Sequence, residues 1–319
     1  MIEQLEKETA YMLPDITVHA ERCLQRRLTR FQCSLCVDSC HSNNVTLKEG
    51  EIHIDADSCT KCGKCITACP AEVFVIEDDE HYRVLEQLEP SVQMVISCRR
   101  QIYDSPCVLH VPCLGALPFE FFLFLAIRQE NDIVINMAEC AQCTNSHVTD
   151  HVKAIVSRIE QLPLPRPLAK FISVRDSDEL PVHESGNRRY FLADMGDKIL
   201  SFMRNRFEKQ ASTSIPSRTH RRSLSGKSRI LQKAIALLDR ESRKVVSATC
   251  LPLLTIQRSC SLCPRCAGIC PTGALERVST NGNKQLIFNS EKCSSCGLCV
   301  AFCKENSLQL SARGEPWIL

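Results

Sequence analysis

Glycine is scarce in this chain, 11 of 319 residues. No Gly-rich phosphate loop and no dinucleotide fingerprint is found among them, so a private flavin or nicotinamide site is not expected. Aromatic side chains make up only 5% of the sequence, with a single Trp. The basic stretch PSRTHRRSLSGKSR accordingly lacks the interleaved rings on which bases stack, and nucleic acid is not an expected partner. Long apolar runs are missing too. The longest, Leu117 to Ile127, is interrupted by Glu120 and is too short to span a bilayer. The opening MIEQLEKETAYMLPD has neither a basic n-region nor an apolar h-region, so no secretory signal is expected. A twin-arginine lookalike, NRRYFLADMG at Asn187 to Gly196, is internal and reads as a surface segment leading into a helix. A cytoplasmic protein without a membrane span is the expectation.

Cysteine is abundant, with 22 residues, most of them in tight clusters. In a reducing compartment disulfides do not persist. The open readings are then zinc modules and iron–sulfur clusters. Charge is uneven. Residues 1–160 hold 14 basic and 24 acidic side chains, whereas residues 161–250 hold 18 and 9. Such asymmetry marks segments that dock partners, or each other.

Two segments resemble one another. The first reads FQCSLCVDSCHSNNV and then SCTKCGKCITACPAEVF. The second reads RSCSLCPRCAGICPTGAL and then KCSSCGLCVAFCKENSL. Within each, a short alternating connector, TLKEGEIHID or VSTNGNKQLIFN, predicts a hairpin turning at KEG or NGN. Between the repeats, SVQMVIS, CVLHV and DIVINM read as strands, LPFEFFLFLAIRQE as a buried helix and HVKAIVSRIEQL as an amphipathic one. That order predicts a small α/β module with a partly parallel sheet. Residues 161–250 open with Pro-rich LPLPRPLAKF and continue into two helix candidates, RYFLADMGDKILSFMRNRF and SRILQKAIALLDRESRKVV. The expected fold class is α+β. A unit at 15–85 and a unit at 251–312 flank a module at 90–160 and a basic, partly helical linker at 161–250.

The last repeat has the cleanest ligand spacing. Cys260, Cys263, Cys266 and Cys270 form C-x2-C-x2-C-x3-C, followed by Pro271. Cys293, Cys296, Cys299 and Cys303 repeat it, with Lys304 where a proline often follows. Two-residue gaps let a tight loop reach three corners of one cube, and the fourth cysteine turns away to the other cube. The expected sets are Cys260, Cys263, Cys266 with Cys303, and Cys293, Cys296, Cys299 with Cys270. Zinc knuckles, with ligands in two paired gaps, fit this pattern poorly. The segment resembles the bacterial-type two-cluster [4Fe-4S] ferredoxin domain, and the N-terminal repeat resembles a second copy. By analogy, Cys40 joins Cys59, Cys62 and Cys65, and Cys69 joins Cys33 and Cys36. Arg30 stands where the missing ligand would be, and the nearby candidate is Cys23, ten residues before Cys33. His41 reads as a surface residue, with ligation as the alternative. Arg26, Arg27 and Arg30 either raise the potential of the neighbouring cluster or face water.

Six cysteines remain: Cys98, Cys107, Cys113, Cys140, Cys143 and Cys250. Cys98, Cys113 and the Cys140–Cys143 pair follow three strands, and strand carboxyl ends share one rim of an open sheet. VISC, HVPCLGAL and INMAECAQC resemble the delta-subunit family of methyl-viologen-reducing hydrogenases. That resemblance implies a [2Fe-2S] cluster on Cys98, Cys113, Cys140 and Cys143. Zinc is the alternative and empty core thiols the third reading. Cys107 and Cys250 read as unligated. His147 and His151 lie four apart on one helix face, but HVTDH lacks the glutamate of a zinc-protease helix, and a solvated face is expected.

The expected function is a polyferredoxin-type subunit. It would relay single electrons through four [4Fe-4S] clusters between a catalytic oxidoreductase subunit and a second redox protein. By resemblance the catalytic partner is a hydrogenase, a heterodisulfide-reductase-like complex or a molybdenum or tungsten oxidoreductase. The alternative is a redox enzyme that uses the middle cysteine site on a small molecule or disulfide.

Overall fold

The computed structural model describes residues 16–48, 50–76, 90, 93–101, 108–165, 167–174, 222 and 224–311. Cys107, the Asn187–Gly196 segment and the first of the two helix candidates in 161–250 lie outside the described residues.

The N-terminal unit runs through β1 (Ile16–Val18), α1 (Leu24–Arg27), α2 (Leu35–Asp38), β2 (Val45–Lys48), β3 (Glu51–Ile54), α3 (Lys64–Ala68) and β4 (Phe74–Ile76). Its outer strands β1 and β4 pair antiparallel, Ile16 opposite Ile76. Its inner strands β2 and β3 form the expected hairpin, Val45 opposite Ile54. The four or five residues of α1, α2 and α3 make hardly more than one turn, so these helices cannot stand by propensity alone. They are held by packing. The core beneath them is Cys23, Cys36, Val45, Cys65, Cys69, Val73 and Phe74. Four of those seven residues are cysteines.

The middle module carries four strands, β5 (Val95–Cys98), β6 (Val108–Val111), β7 (Ile133–Asn136) and β8 (Phe171–Val174), in the order β6-β5-β7-β8. All three pairings are parallel. β5 and β7 are buried at every residue, as strands covered on both faces must be. β8 was hidden in the sequence behind the Pro-rich LPLPRP, which reads as a linker. Yet the chain after Leu168 extends and pairs with β7.

Two helices follow from within the module, α4 (Phe119–Arg128) and α5 (Val148–Glu160). Two more come from the basic region, α6 (Gly226–Ala236) and α7 (Arg240–Cys250). The sequence predicts one helix where α6 and α7 stand. Asp239 breaks it, because its carboxylate accepts the amides of Glu241 and Ser242 and starts a new helix. The apolar faces of α6 and α7 do not sit apart. Ile230, Leu231, Ala234, Ile235 and Val246 share one core with Phe121, Phe122 and Leu125 of α4 and with the sheet.

The C-terminal unit repeats the N-terminal plan. β9 (Leu253–Ile256) pairs antiparallel with the last strand, β12 (Leu308–Ser311). Between them come α8 (Arg265–Ile269), the hairpin β10 (Leu275–Thr280) and β11 (Asn283–Phe288), and α9 (Leu298–Phe302). Asn281 and Gly282 both have positive φ, 51° and 81°. That is the backbone of the tight turn which matches the twist of a hairpin. No described helix is long and apolar enough to cross a membrane.

The units touch closely. Gly63, at φ 78°, lies so near the turn after β6 that a Cβ would sit 2.5 Å from the Ala116 Cβ, and a Cβ on Gly115 would sit 2.5 Å from the Cys62 carbonyl oxygen. α6 ties the units together. The Glu72 carboxylate accepts the amides of Gly226 (2.8 Å) and Lys227 (2.9 Å) at its N-terminus. The Lys227 ammonium donates to the carbonyls of Thr67 (2.6 Å) and Cys69 (2.9 Å). Gln232 donates to the Glu291 carbonyl at 3.4 Å.

Gly115→Ala should therefore destabilise the joint by about 1–3 kcal/mol, the cost of overpacking. Gly268→Ala in α8, whose Cβ would meet nothing within 4 Å, should be neutral or stabilise by about 0.5–1 kcal/mol. Thermal midpoints of the two variants, compared with the parent chain, check the contrast. Equal midpoints for both would rule out the tight joint.

Candidate metal centres

Each cysteine run is built from the same local parts. The third cysteine of a run sits in the first turn of a short helix: Cys36 in α2, Cys65 in α3, Cys266 in α8 and Cys299 in α9. Three residues after the fourth cysteine the backbone enters the left-handed region, at Asn43, Glu72, Gly273 and Asn306. The amide that follows then points back at sulfur. Asn44 donates to Cys40 Sγ at 3.3 Å, Val73 to Cys69 Sγ at 3.5 Å and Ser307 to Cys303 Sγ at 3.4 Å. In the three complete runs the residue before the second cysteine is left-handed as well: Lys61, Leu262 and Ser295. Among the described residues seven non-glycine positions have positive φ, and six lie in these runs. Each costs about 1–2 kcal/mol in that conformation. Such strain persists only where something over-determines it, which is the mark of a ligand clamp.

The thiols converge in sets. Cys33 is held above its ordinary pKa by burial and by the nearby Cys69 and Cys23, and Cys36 is pushed up to about 12 by burial and by Cys69, Cys33 and Cys23. The structure thus gathers Cys23, Cys33, Cys36 and Cys69, the displaced cysteine included. Cys65 is pushed up to about 12 by burial and by Cys62, Cys59 and Cys40. Those are the expected partners of the second set. In the C-terminal unit Cys299 is pushed up to about 12 by burial and by Cys296, Cys293 and Cys270. Cys266 is raised by burial and by Cys263 and Cys260, and Cys303 packs against the same core.

The donor chemistry of these sets suits iron–sulfur clusters. They offer clustered thiols and amides aimed at sulfur. Among the described residues no three His, Cys, Asp or Glu side chains converge to single-ion distances. A cube spreads its ligands over its corners and does not need that convergence.

The middle cysteines form a fifth set, on the rim predicted for them. Cys98 ends β5, Cys113 follows β6, and Cys140 and Cys143 follow β7. Burial pushes Cys113 up to about 12, helped by Cys98, Cys62 and Cys140. Burial with Cys98 and Cys143 pushes Cys140 up to about 11. All four line a cavity of about 350 Å³ that also holds Arg100, Gln101 and Asn145. The Arg100 guanidinium donates to Cys143 Sγ at 3.5 Å, and the Asn145 amide donates to the same sulfur at 3.4 Å. Cys250 stands apart from every set, buried against Arg158 and Glu120 and pushed up to about 11 mainly by that burial.

Two expectations change. The His147–His151 face is not solvated. Ring nitrogens of both residues are buried, His147 stacks on His41 at 4.4 Å between centroids, and burial lowers His151 to about 4. The face packs on the N-terminal unit, which the periodicity of one helix cannot reveal. His41 is engaged in that stack, beside a set that already has its four thiols. Of the two readings of the arginines, Arg26 and Arg30 are exposed, as the water-facing one has it, and Arg27 is half-buried. Arg30 donates to the Ala301 carbonyl at 3.2 Å and lies over the Phe302 ring, both in the C-terminal unit.

Residues 29–73 and 259–307 match the 4Fe-4S dicluster domain. A stretch of 60 residues is 42% identical to the polyferredoxin protein MvhB of Methanothermobacter marburgensis. That match covers 16% of this chain and 15% of the relative, so the chain spans a small part of that protein's length. The chain thus carries two dicluster regions of ferredoxin type, whose chemistry is one-electron transfer on [4Fe-4S] clusters. Cys23 lies six residues before the first matched region, so its place in a ligand set rests on the geometry alone.

Cys23→Ala should cost one cluster and leave three, a fall from about sixteen to about twelve irons per chain at four to a cube. Iron and acid-labile sulfide analysis after oxygen-free purification checks it. A Cys23→Ala chain with undiminished iron would require another first ligand.

Proposed function

We propose that this chain is an electron-relay subunit. It would hold four [4Fe-4S] clusters and pass single electrons between a catalytic oxidoreductase and a second redox protein. The observation that carries the reading is the pair of repeated units, each matching a 4Fe-4S dicluster domain and each bringing its cysteines close together. The proposed ligand sets are Cys23, Cys33, Cys36, Cys69; Cys40, Cys59, Cys62, Cys65; Cys260, Cys263, Cys266, Cys303; and Cys270, Cys293, Cys296, Cys299. When bound, the clusters supply the one-electron couples. The chain's own part is to hold them close, shield them, and tune them through amides and guanidinium groups. The similarity to a polyferredoxin supports the relay role. For the catalytic partner, the candidates are a hydrogenase, a heterodisulfide-reductase-like complex or a molybdenum or tungsten oxidoreductase.

The middle set supports an extension. A cavity of about 350 Å³ is roughly ten times a water's share of the liquid, ~30 Å³. Four thiols around such a space suit a two-iron cluster; a single zinc ion would need them to converge further. The same cavity supports a second reading, a redox site that reduces a small molecule or disulfide, because Arg100 and Gln101 sit beside the sulfurs at its wall.

Metal analysis and turnover separate these readings. The relay predicts about sixteen irons per chain from the four cubes, and reduction of acceptors only when a partner oxidoreductase is added. Zinc without sulfide would sink it. Turnover of a disulfide by the isolated chain, abolished by Cys140→Ser, would favour the second reading.

A further inference from the structure

The two dicluster units meet at a narrow crevice. Leu35, Ala68 and Pro70 of the N-terminal unit line it opposite Cys293, Ser294 and Ser295 of the C-terminal unit. Leu35 and Pro70 are chain neighbours of Cys36 and Cys69. Phe119, Arg158, Lys227 and Leu231 close the rest of this space of about 70 Å³. The arginine segment also reaches the C-terminal unit. Arg30 is fastened to α9 through the Ala301 carbonyl (3.2 Å) and the Phe302 ring. Arg27 is half-buried, and its Nε is enclosed with no hydrogen-bond partner. Around that guanidinium, burial opposes the charge, while Cys296 and Cys270 favour it. The Ser294 hydroxyl beside Cys296 is likewise buried without a geometrically sound partner. A buried, unsatisfied donor is costly, and a negatively charged metal–sulfur group next to it removes the cost.

We infer that Arg27 acts across the domain boundary, as a positioning residue that raises the reduction potential of the group that Cys270, Cys293, Cys296 and Cys299 would hold. The inference rests on the four-cluster reading above. A fixed positive charge next to the Cys270 set stabilises the added electron there. Arg30 holds the segment against α9 through Ala301 and Phe302. The position left without a cysteine in the first run is thereby used as an inter-unit anchor.

The test is a redox titration of the intact chain, followed by electron paramagnetic resonance. Cys296→Ser and Cys263→Ser, each altering the signal of its own set, identify the two C-terminal signals. Arg27→Gln should lower the potential of the signal marked by Cys296, by about tenfold in its reduction equilibrium, ~59 mV for one electron. The signal marked by Cys263 should stay in place. Arg27→Lys, which keeps the charge, should recover at least half the shift with full iron content. An unmoved Cys296 signal in Arg27→Gln, or an equal shift of both signals, overturns the inference. If Arg27→Gln loses iron, Arg27→Lys decides. Full iron and a near-parent potential support the inference, and loss of a cluster there overturns it, since Arg27 would then be structural. A parent chain without about sixteen irons would instead overturn the four-cluster reading itself.

Discussion

Four thiols brought into one buried space cannot all ionise without a cation among them. That constraint governs both dicluster units. Burial and mutual repulsion push Cys36, Cys65, Cys293 and Cys299 up to about 12. As thiols they are small, weakly packing core residues, and as thiolates they repel one another. Bound iron resolves the conflict, and its binding energy becomes folding energy. The N-terminal core shows how much is delegated in this way. Cys23, Cys36, Cys65 and Cys69 sit with Val45, Val73 and Phe74 at its centre, ringed by partly exposed aliphatic residues such as Ile16, Leu47 and Ile54. A unit of some sixty residues with so little hydrocarbon is marginal on burial alone. The left-handed turns at Asn43, Lys61, Glu72, Leu262, Ser295 and Asn306 add to the cost. They are consistent with a fold completed by its metal.

The middle module works the other way. Its core is hydrocarbon, with Phe121, Phe122, Leu123 and Leu125 fully buried on α4. It stands on apolar burial and serves as the rigid body to which the metal-dependent units are fixed. The fixing is specific. Glu72 places a carboxylate on the N-terminus of α6, where backbone amides and the helix dipole both favour it. Lys227, one residue into that helix, returns a charge to the exposed carbonyls at the end of α3. On the opposite side Gly63 and Gly115 allow backbone to meet backbone. These joints set the spacing of the thiol sets, and electron transfer depends steeply on spacing.

What could be read from the chain alone was what is local. C-x2-C-x2-C-x3-C fixes a loop over a dozen residues, and the hairpins at Val45–Ile54 and Leu275–Phe288 are announced by their turns. Cys23 was legible only by setting one repeat against the other, because its partners lie ten or more residues away and the position three before Cys33 holds Arg30. Strand β8 was obscured by the prolines that precede it, since its partner β7 lies more than thirty residues upstream. The break at Asp239 was obscured by a pattern of apolar residues that runs on through it. The faces of His147, Arg27 and Arg30 were not legible at all. Each is decided by another unit, hundreds of residues distant in the case of Arg30 and Ala301, and periodicity within one helix carries no record of it.

The displaced cysteine then has a structural logic. Had residue 30 been a ligand, the chain from Cys23 to Cys33 would be drawn over the face of its own cluster. With Cys23 as the donor, from the turn before α1, the residues between are free to lean outward. Arg27 and Arg30 do so, against Cys296, Ala301 and Phe302. The same displacement sets the order of the thiol groups. Cys113 of the middle set lies beside Cys62, and Cys65 lies within reach of Cys36. Leu35 and Pro70, the neighbours of Cys36 and Cys69, line one crevice with Cys293. A missing ligand in a repeat would ordinarily mean a lost site. Here Cys23 is brought to Cys33, Cys36 and Cys69 from a neighbouring turn, and Arg30, at the vacated position, contacts the C-terminal unit.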